Sequence, residues 1–409
     1  MRIDPALHPW MTAPETIQVM TALGEARFVG GAVRNAMMGV PVADVDIAVP
    51  MPPEEILARL KAHDIKAIPT GLEHGTVTAL SGGKLFEITA LRKDVETDGR
   101  HAVIAFTDDW AEDAARRDFT INAMYAALDG EVFDYATGVE DLIAGRVRFM
   151  GDAATRIAED YLRILRLFRF HAWYGKGDID AEALHAAAAA REKLNTLSGE
   201  RVAKELLRLM EAGNPVPVLR VMAATGILSQ LLPGALQLPR LERLAEIDAD
   251  ALHTRDGLLR LAALLPDDAA IAHQVADSLR LSNADRARLA GMLGDTPKMG
   301  GWLSAKQARV LLYRIGPAEF RDRVMLKWAQ TPPGAGAIQW RMLLEMADRW
   351  QQPRFALSGR DVMAAGVTQG PDVGRILAAV EDWWLENDFA PGEGALRDRM
   401  AALIAAERA

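Results

Sequence analysis

The chain has 409 residues, half of them hydrophobic and a quarter charged, with a mean hydropathy of zero and a net charge of −9. That length suits two to four domains with a sizeable core. No apolar run reaches membrane-spanning length, and none near the N-terminus is long enough for a signal peptide. Cysteine is absent, which excludes disulfides and thiolate metal sites and fits a cytoplasmic protein. The net acidity argues mildly against a nucleic-acid partner.

Residues 28–48 organise the rest. A short apolar strand ends at Val29, Gly30-Gly31 opens a helix that Gly39 closes, and Pro41 leads into a second strand carrying Asp44 and Asp46. Glycine lets backbone approach a ligand, and a helix N-terminus offers free N–H groups and a positive dipole end, which suits phosphate. Arg34, one turn in, can fork onto phosphate oxygens. Side chains two apart on a strand share a face, so Asp44 and Asp46 point the same way. Two such carboxylates need a cation, and hard oxygen ligands select Mg²⁺. This is equipment for metal-assisted phosphoryl or nucleotidyl transfer. The bare Asp-x-Asp pattern is weak, because it recurs at Asp178/Asp180 and Asp248/Asp250. The ordered set is much rarer. Gly30-Gly31-Ala32-Val33-Arg34, followed after nine residues by Asp44-Val45-Asp46, resembles the active-site signature of polymerase-β-like nucleotidyltransferases. Specifically, it resembles the class II CCA-adding tRNA nucleotidyltransferase and poly(A) polymerase family. That family usually has Asp after the arginine, where this chain has Asn35.

Pro52-Pro53 with Glu54-Glu55 starts a helix to about His63, with Ile56, Leu57 and Leu60 on one side. Residues 65–69 and 75–80 read as strands, and 85–91 as the hairpin partner of the second across Gly82-Gly83. The sheet is therefore expected to be largely antiparallel. Glu87 lies in the last strand and reads by itself as a solvent-facing residue; the resemblance makes it a third carboxylate near the Asp pair. His74-Gly75-Thr76-Val77 resembles the CCA-adding branch and reads equally well as a turn. Residues 93–102 are polar and read as a floppy hairpin loop. The resemblance makes them the mobile loop needed for the last nucleotide.

Arg116-Arg117-Asp118-Phe119-Thr120-Ile121-Asn122-Ala123-Met124 is the second strong signature. Arg117 can hold triphosphate oxygens, and Asp118 and Asn122 can bond ribose hydroxyls. From Ala153 the pattern turns helical. One helix is expected to carry Glu159-Asp160-Tyr161-Leu162-Arg163 and then Arg166 and Arg169. Its plain reading is a helix laced with i,i+3 salt bridges worth tenths of a kcal/mol. Its functional reading is a base reader: Asp160 accepts from the exocyclic amine of cytosine or adenine, and Arg163 donates to the adjacent ring nitrogen. Guanine and uracil present the reverse pattern and would be rejected. The pair matches the family's Glu-Asp-x-x-Arg motif, which implies nucleotide-binding roles for Arg166 and Arg169 as well.

Ser198-Gly199-Glu200-Arg201 resembles a further family motif or marks a structural helix joint. Beyond about 215 the chain is helical, with Pro/Gly breaks near 232–239, 265–267 and 331–337. Trp383-Trp384 read as packing residues. Residues 301–360 hold ten Lys or Arg against four Asp or Glu, including Lys306, Arg309, Arg314, Arg321, Arg323 and Lys327. That is a candidate phosphate-binding face, with a solvated surface as the default.

The expected fold is α+β: a nucleotidyltransferase head at 1–150, a helical neck with the base-reading helix at 151–240, and a helical body and tail at 241–409 for tRNA. The resemblance implies template-independent CCA addition to tRNA from CTP and ATP. Gly30, Gly31, Arg34 and Arg117 would hold the triphosphate, and two Mg²⁺ ions would sit at Asp44 and Asp46. Alternatives are a poly(A) polymerase, a CC-only or A-only relative, or a silent RNA-binding protein on this fold. Oligomeric state is not legible.

Overall fold

The structure is a computed structural model describing residues 1–98, 101–251, 255–294 and 298–408. It divides into two compact units, residues 1–233 with 277–280, and residues 234–276 with 281–409.

The first unit is built on a seven-stranded sheet. Its strands are β1 (Arg27–Val29), β2 (Asp46–Val49), β3 (Lys66–Gly71), β4 (Thr76–Ser81), β5 (Lys84–Ala90), β8 (Met124–Ala126) and β9 (Val132–Asp134), in the spatial order β3-β4-β5-β2-β1-β8-β9. Each neighbouring pair is antiparallel except β2 and β5, which run parallel. The mixed, largely antiparallel sheet is thus as the sequence implied. Gly82 and Gly83 both take positive φ, 57° and 79°, between Ser81 and its partner Lys84. Two consecutive positive φ values are what a two-residue hairpin turn requires. Along β4 burial alternates strictly, which sends Val77 and Ala79 into the core. Val29, Ala48, Leu91, Trp110, Ala123 and Tyr125 belong to one buried cluster that includes residues of β1, β2 and β8.

One expectation is corrected here. Residues 93–102 are not an irregular loop. β6 (Arg92–Asp98) and β7 (His101–Phe106) pair as a separate antiparallel ribbon, with Asp98 opposite His101. Residues 99 and 100 lie outside the described residues. A polar segment without an apolar period can still pair through its backbone, which needs no buried face.

After β9 the unit is helical. The helices Leu162–Tyr174 and Gly199–Met210 pack together, burying Ile164, Leu165 and Phe168 from the first and Val202, Leu206 and Leu209 from the second. Every regular element among the described residues of the second unit is a helix. Its longest helical run, Ala305–Trp328, breaks at Gly316 (φ 77°), directly before Pro317. Trp384 is buried among Leu357, Val380, Leu385 and Leu396 and meets Phe389 edge-on at 4.9 Å, so this tryptophan is a packing residue. No helix among the described residues is long and apolar enough to cross a membrane.

Candidate active site

The acid pair comes first. β2 begins at Asp46, and Asp44 precedes it in irregular chain. Asp44 thus lies just outside the strand on which both were expected. Both nevertheless line one cleft of about 400 Å³, together with Gly31, Arg34, Arg169 and Tyr174. The parallel register of β2 and β5 sets Glu87 opposite Asp46. Burial, then the nearby charges of Glu87 and Asp44, push the Asp46 carboxyl up to about 6, with Arg117 opposing. No ion pair among the described residues neutralises any of the three carboxylates. Crowded hard-oxygen donors carrying unrelieved repulsion fit a divalent cation. Among the described residues no three potential ligands converge on one point. Asp44 and Asp46 are therefore the residues that could hold a metal, with Glu87 as a charged neighbour.

Next comes the glycine turn. Gly30 takes φ 65° and caps the helix Gly31–Met37. A Cβ there would stand 3.7 Å from the Asn122 carbonyl and 3.8 Å from Arg117 Nη1, so Arg117 reaches this turn. The rest of its guanidinium is anchored. Arg117 Nη2 donates to Asp113 Oδ2 (2.9 Å), Arg117 Nε donates to the same oxygen (3.2 Å), and the Tyr125 hydroxyl donates to it as well (2.6 Å). Burial alone would raise the Asp113 carboxyl, but Arg117, Arg116 and Tyr125 outweigh it and bring it down to about 2.

Arg34 differs from expectation. It was expected to present free donors to phosphate, yet it is buried and its guanidinium nitrogens are bonded within the protein. Nη1 donates to Asn122 Oδ1 (2.5 Å), Nε and Nη2 donate to Asn35 Oδ1 (3.2 and 3.0 Å), and Nη2 also donates to the Tyr174 hydroxyl (2.9 Å). The guanidinium lies 4.1 Å from the Tyr174 ring centroid. Asn35 thus supplies an acceptor to Arg34 and donates its own amide to the Pro41 carbonyl (3.2 Å). An asparagine suffices at this position because only one side-chain oxygen is used.

A continuous network leads from there to the neck. Asn122 donates to Asp118 (3.1 Å), Arg166 Nε donates to Asp118 (2.7 Å), and Arg166 and Arg169 share Glu205 (3.6 and 2.5 Å). Asp118 is held below its ordinary range: burial raises it, and Arg166 and Asn122 lower it by more. Asp118, Asn122, Arg166 and Arg169 therefore form one cluster.

The motif from Glu159 to Arg169 does not lie on one helix. Ala153–Glu159 ends at Asp160, which is extended (φ −155°, ψ 106°), and a new helix runs from Leu162 to Tyr174. Asp160 breaks the run because its short carboxylate competes for backbone, accepting from the Leu162 N–H (3.1 Å). Asp160 and Arg163 do not pair with each other through their side chains. Arg201 Nη2 donates to Asp160 Oδ2 (2.7 Å), while Arg163 donates to Glu159 and to the Arg156 carbonyl (2.8 Å).

Asp113, Tyr125, Tyr174 and Glu205 were not singled out from sequence as site residues, and Glu159 and Arg201 entered only as members of motifs. For Asp113 a signal existed: it stands three and four residues ahead of Arg116 and Arg117, the helical spacing for ion pairs.

Residues 26–148 match the family model described as "Poly A polymerase head domain", and residues 178–238 match "Probable RNA and SrmB- binding site of polymerase A". The chain is 33% identical over 382 residues to "CCA tRNA nucleotidyltransferase 1, mitochondrial" of Homo sapiens, covering 89% of this chain and 84% of that protein. The chain belongs to the class II CCA-adding and poly(A) polymerase family. Another member, the CCA-adding enzyme of Latilactobacillus sakei, is 32% identical over 372 residues, covering 89% of this chain and 90% of that one. The crystal structure of the Bacillus stearothermophilus CCA-adding enzyme in complex with CTP superposes with a TM-score of 0.79 at 25% identity, covering 98% of this chain and 99% of that one.

Proposed function

We propose that this family member adds CCA to the 3′ end of tRNA from CTP and ATP, without a nucleic-acid template, releasing pyrophosphate. The observation that carries the reading is the cleft itself, where an acid pair with no ion-pair partner lies with the Gly31 turn and Arg169. Relatives matched over most of their length support the same chemistry. Asp44 and Asp46 would hold two Mg²⁺ ions, which when bound supply Lewis-acid activation of the tRNA 3′-hydroxyl and offset charge as pyrophosphate leaves. Gly30, Gly31, Arg34 and Arg117 bind the triphosphate. Asp118 and Asn122 meet the ribose. Asp160 accepts from the base amine and Arg163 donates to the ring nitrogen, with Arg201 and Glu159 holding the two side chains until a base arrives. We divide the chain into a head at 1–150, a neck at 151–240 and a tRNA-binding body and tail at 241–409. The cytoplasm as compartment rests on the cysteine-free composition alone, and the human relative is named as mitochondrial.

The test is to incubate the protein with tRNA lacking CCA and each NTP singly and together, then sequence the 3′ ends. Complete CCA is expected. Termination at CC, addition of A alone or long A tails would replace the reading with a restricted relative or a poly(A) polymerase. Shortening residues 94–101 should leave two C additions near normal and remove the terminal A. Efficient A addition by that variant to tRNA ending in CC would make the ribbon a mere connector.

A further inference from the structure

The β6–β7 ribbon enters and leaves the head at one short helix, Trp110–Ala115. At the root of β6, the Arg92 N–H donates to Asp113 Oδ1 (3.2 Å) and the Arg92 carbonyl accepts from Arg116 Nε (2.9 Å). Lys93 Nζ donates to Glu112 Oε1 (3.1 Å), and the Thr107 hydroxyl, just past β7, donates to Glu112 Oε2 (2.6 Å). Both ends of the ribbon are thus tied to two consecutive acids. Asp113 is 1% exposed. Its Oδ1 serves the ribbon root and Arg116 (2.6 Å), and its Oδ2 serves Arg117 and Tyr125. Two guanidiniums share this one carboxylate, so the trio keeps one net positive charge, and Arg117 is the member that reaches the Gly30 turn. A carboxylate bonded through both oxygens is a stiff, directional link. A shift of the Arg92 backbone turns its plane, and the guanidinium on the far oxygen turns with it.

We propose that Asp113 is a positioning residue that couples the β6–β7 ribbon to Arg117, so that the ribbon's position sets how tightly the incoming triphosphate is held. The proposal rests on the reading of Arg117 as a triphosphate ligand. Neither Glu112 nor Asp113 touches substrate in it; both act through their partners.

The test combines calorimetric binding of CTP and ATP with steady-state addition to tRNA ending in C or in CC, on the full-length protein. Asp113→Asn should raise the Kd and KM of both nucleotides about tenfold, the size of one lost charge-assisted bond. KM for tRNA should stay put and kcat should change by less than about twofold. Asp113→Glu should recover part of the loss. Lys93→Ala, which loosens one ribbon root, should raise KM for ATP in the parent and add nothing in the Asp113→Asn background. If Asp113→Asn does not fold, Tyr125→Phe removes a donor from the same oxygen and must shift nucleotide Kd in the same direction. Unchanged nucleotide Kd, equal loss of tRNA and nucleotide binding, or additive effects of Lys93→Ala and Asp113→Asn would overturn the proposal. An Arg117→Ala protein that binds CTP normally would instead remove the triphosphate reading. A parent that binds CTP but extends no tRNA would remove the functional reading, and the Kd comparison would still decide the role of Asp113.

Discussion

Around the start of β2, Asp44, Asp46 and Glu87 crowd together with no basic side chain paired to them, and burial with mutual repulsion lifts Asp46 to about 6. On the helix Leu162–Tyr174 the opposite holds. Arg163, Arg166 and Arg169 each have a carboxylate partner, in Glu159, Asp118 and Glu205. The first region carries negative charge that no described ion pair offsets. The second is complete without a nucleotide, so any base it reads must compete with bonds already made. A site that recruits a metal benefits from leaving its charge unbalanced. A site that reads bases benefits from side chains locked by partners, because fixed donors and acceptors reject mismatched bases more sharply.

The largest expected effect lies in the first region. Asp44→Asn or Asp46→Asn should reduce nucleotide addition by about a thousandfold or more, since metal stabilisation of the transition state contributes several kcal/mol. Binding of tRNA should persist. The stability readout should separate the two regions. Asp46→Asn removes an uncompensated charge and should raise the unfolding midpoint of the metal-free protein, whereas Arg166→Ala strands Asp118 and should cost about 3 kcal/mol. A lowered midpoint for Asp46→Asn, or an unchanged one for Arg166→Ala, would dissolve the contrast. Normal turnover by either aspartate variant would remove the metal assignment.

The sequence already carried the glycine turn, the acid pair, Arg117 and the mixed sheet, because each depends on residue type at short spacing. Gly30 needs positive φ and Asp44-x-Asp46 needs only local chain. Part of what stayed hidden depends on partners distant in sequence. Arg34 looked free because its acceptors Asn122 and Tyr174 are 88 and 140 residues away. The motif from Glu159 to Arg169 looked like one helix because its apolar spacing continues across Asp160, whose backbone is extended and whose side chain accepts from the Leu162 N–H. Residues 93–102 read as a hairpin loop and not as paired strands because β6, Arg92–Asp98, is polar and carries no apolar alternation, while the apolar run of β7 begins only at Ala102.

The next effect tests the second region. Arg163→Ala and Asp160→Ala should each lose preference for CTP and ATP over UTP and GTP, by the 1.5–3 kcal/mol of about one charge-assisted bond, roughly ten- to a hundredfold. A single-turnover competition reads this directly. Arg201→Ala frees Asp160 and sharpens the comparison: it should blunt discrimination less than Asp160→Ala does. Unchanged selectivity in all three would mean that these residues only knit the helices together.

A smaller effect concerns acid stability. The folded Asp113 carboxyl sits at about 2, below its ordinary value of 3.8. A depressed carboxyl contributes stability that is fully present above the unfolded value and is lost as pH falls through the folded one. Between about pH 4 and pH 2 the protein should therefore lose about 2–3 kcal/mol through this group. Asp113→Asn should flatten that portion of the curve of stability against pH. An acid limb identical to the parent's would show that other carboxylates set it.

The smallest effect is expected in the second unit, where a count of charges along the chain overstates the free positive charge. The ten basic residues of 301–360 suggested a phosphate-binding face, so charge reversal there would weaken tRNA binding and flatten its salt dependence. Among the described residues, six of the ten pair with an acid, and three of those acids lie outside the window. Arg309 bonds Asp388 (2.9 Å), Arg314 bonds Asp382 (2.9 Å) and Lys327 bonds Asp267 (3.1 Å). Arg323 pairs with Glu319 (2.7 Å), Arg321 pairs with Asp348, and Lys306 donates to the Glu386 carbonyl (2.5 Å). A cation that contacts phosphate contributes about one unit to the slope of log K against log salt, and a cation already held by a carboxylate contributes little. Arg314→Ala should therefore leave that slope within about 0.3 of the parent's and tRNA affinity within about twofold. Arg314 is the sharpest choice because both members of its pair are exposed, 55% and 61%, so the substitution disturbs no core. A full unit lost from the slope would mean that tRNA phosphate displaces Asp382 on binding, and the pairing seen in the free protein would then be a resting arrangement of an RNA-binding face.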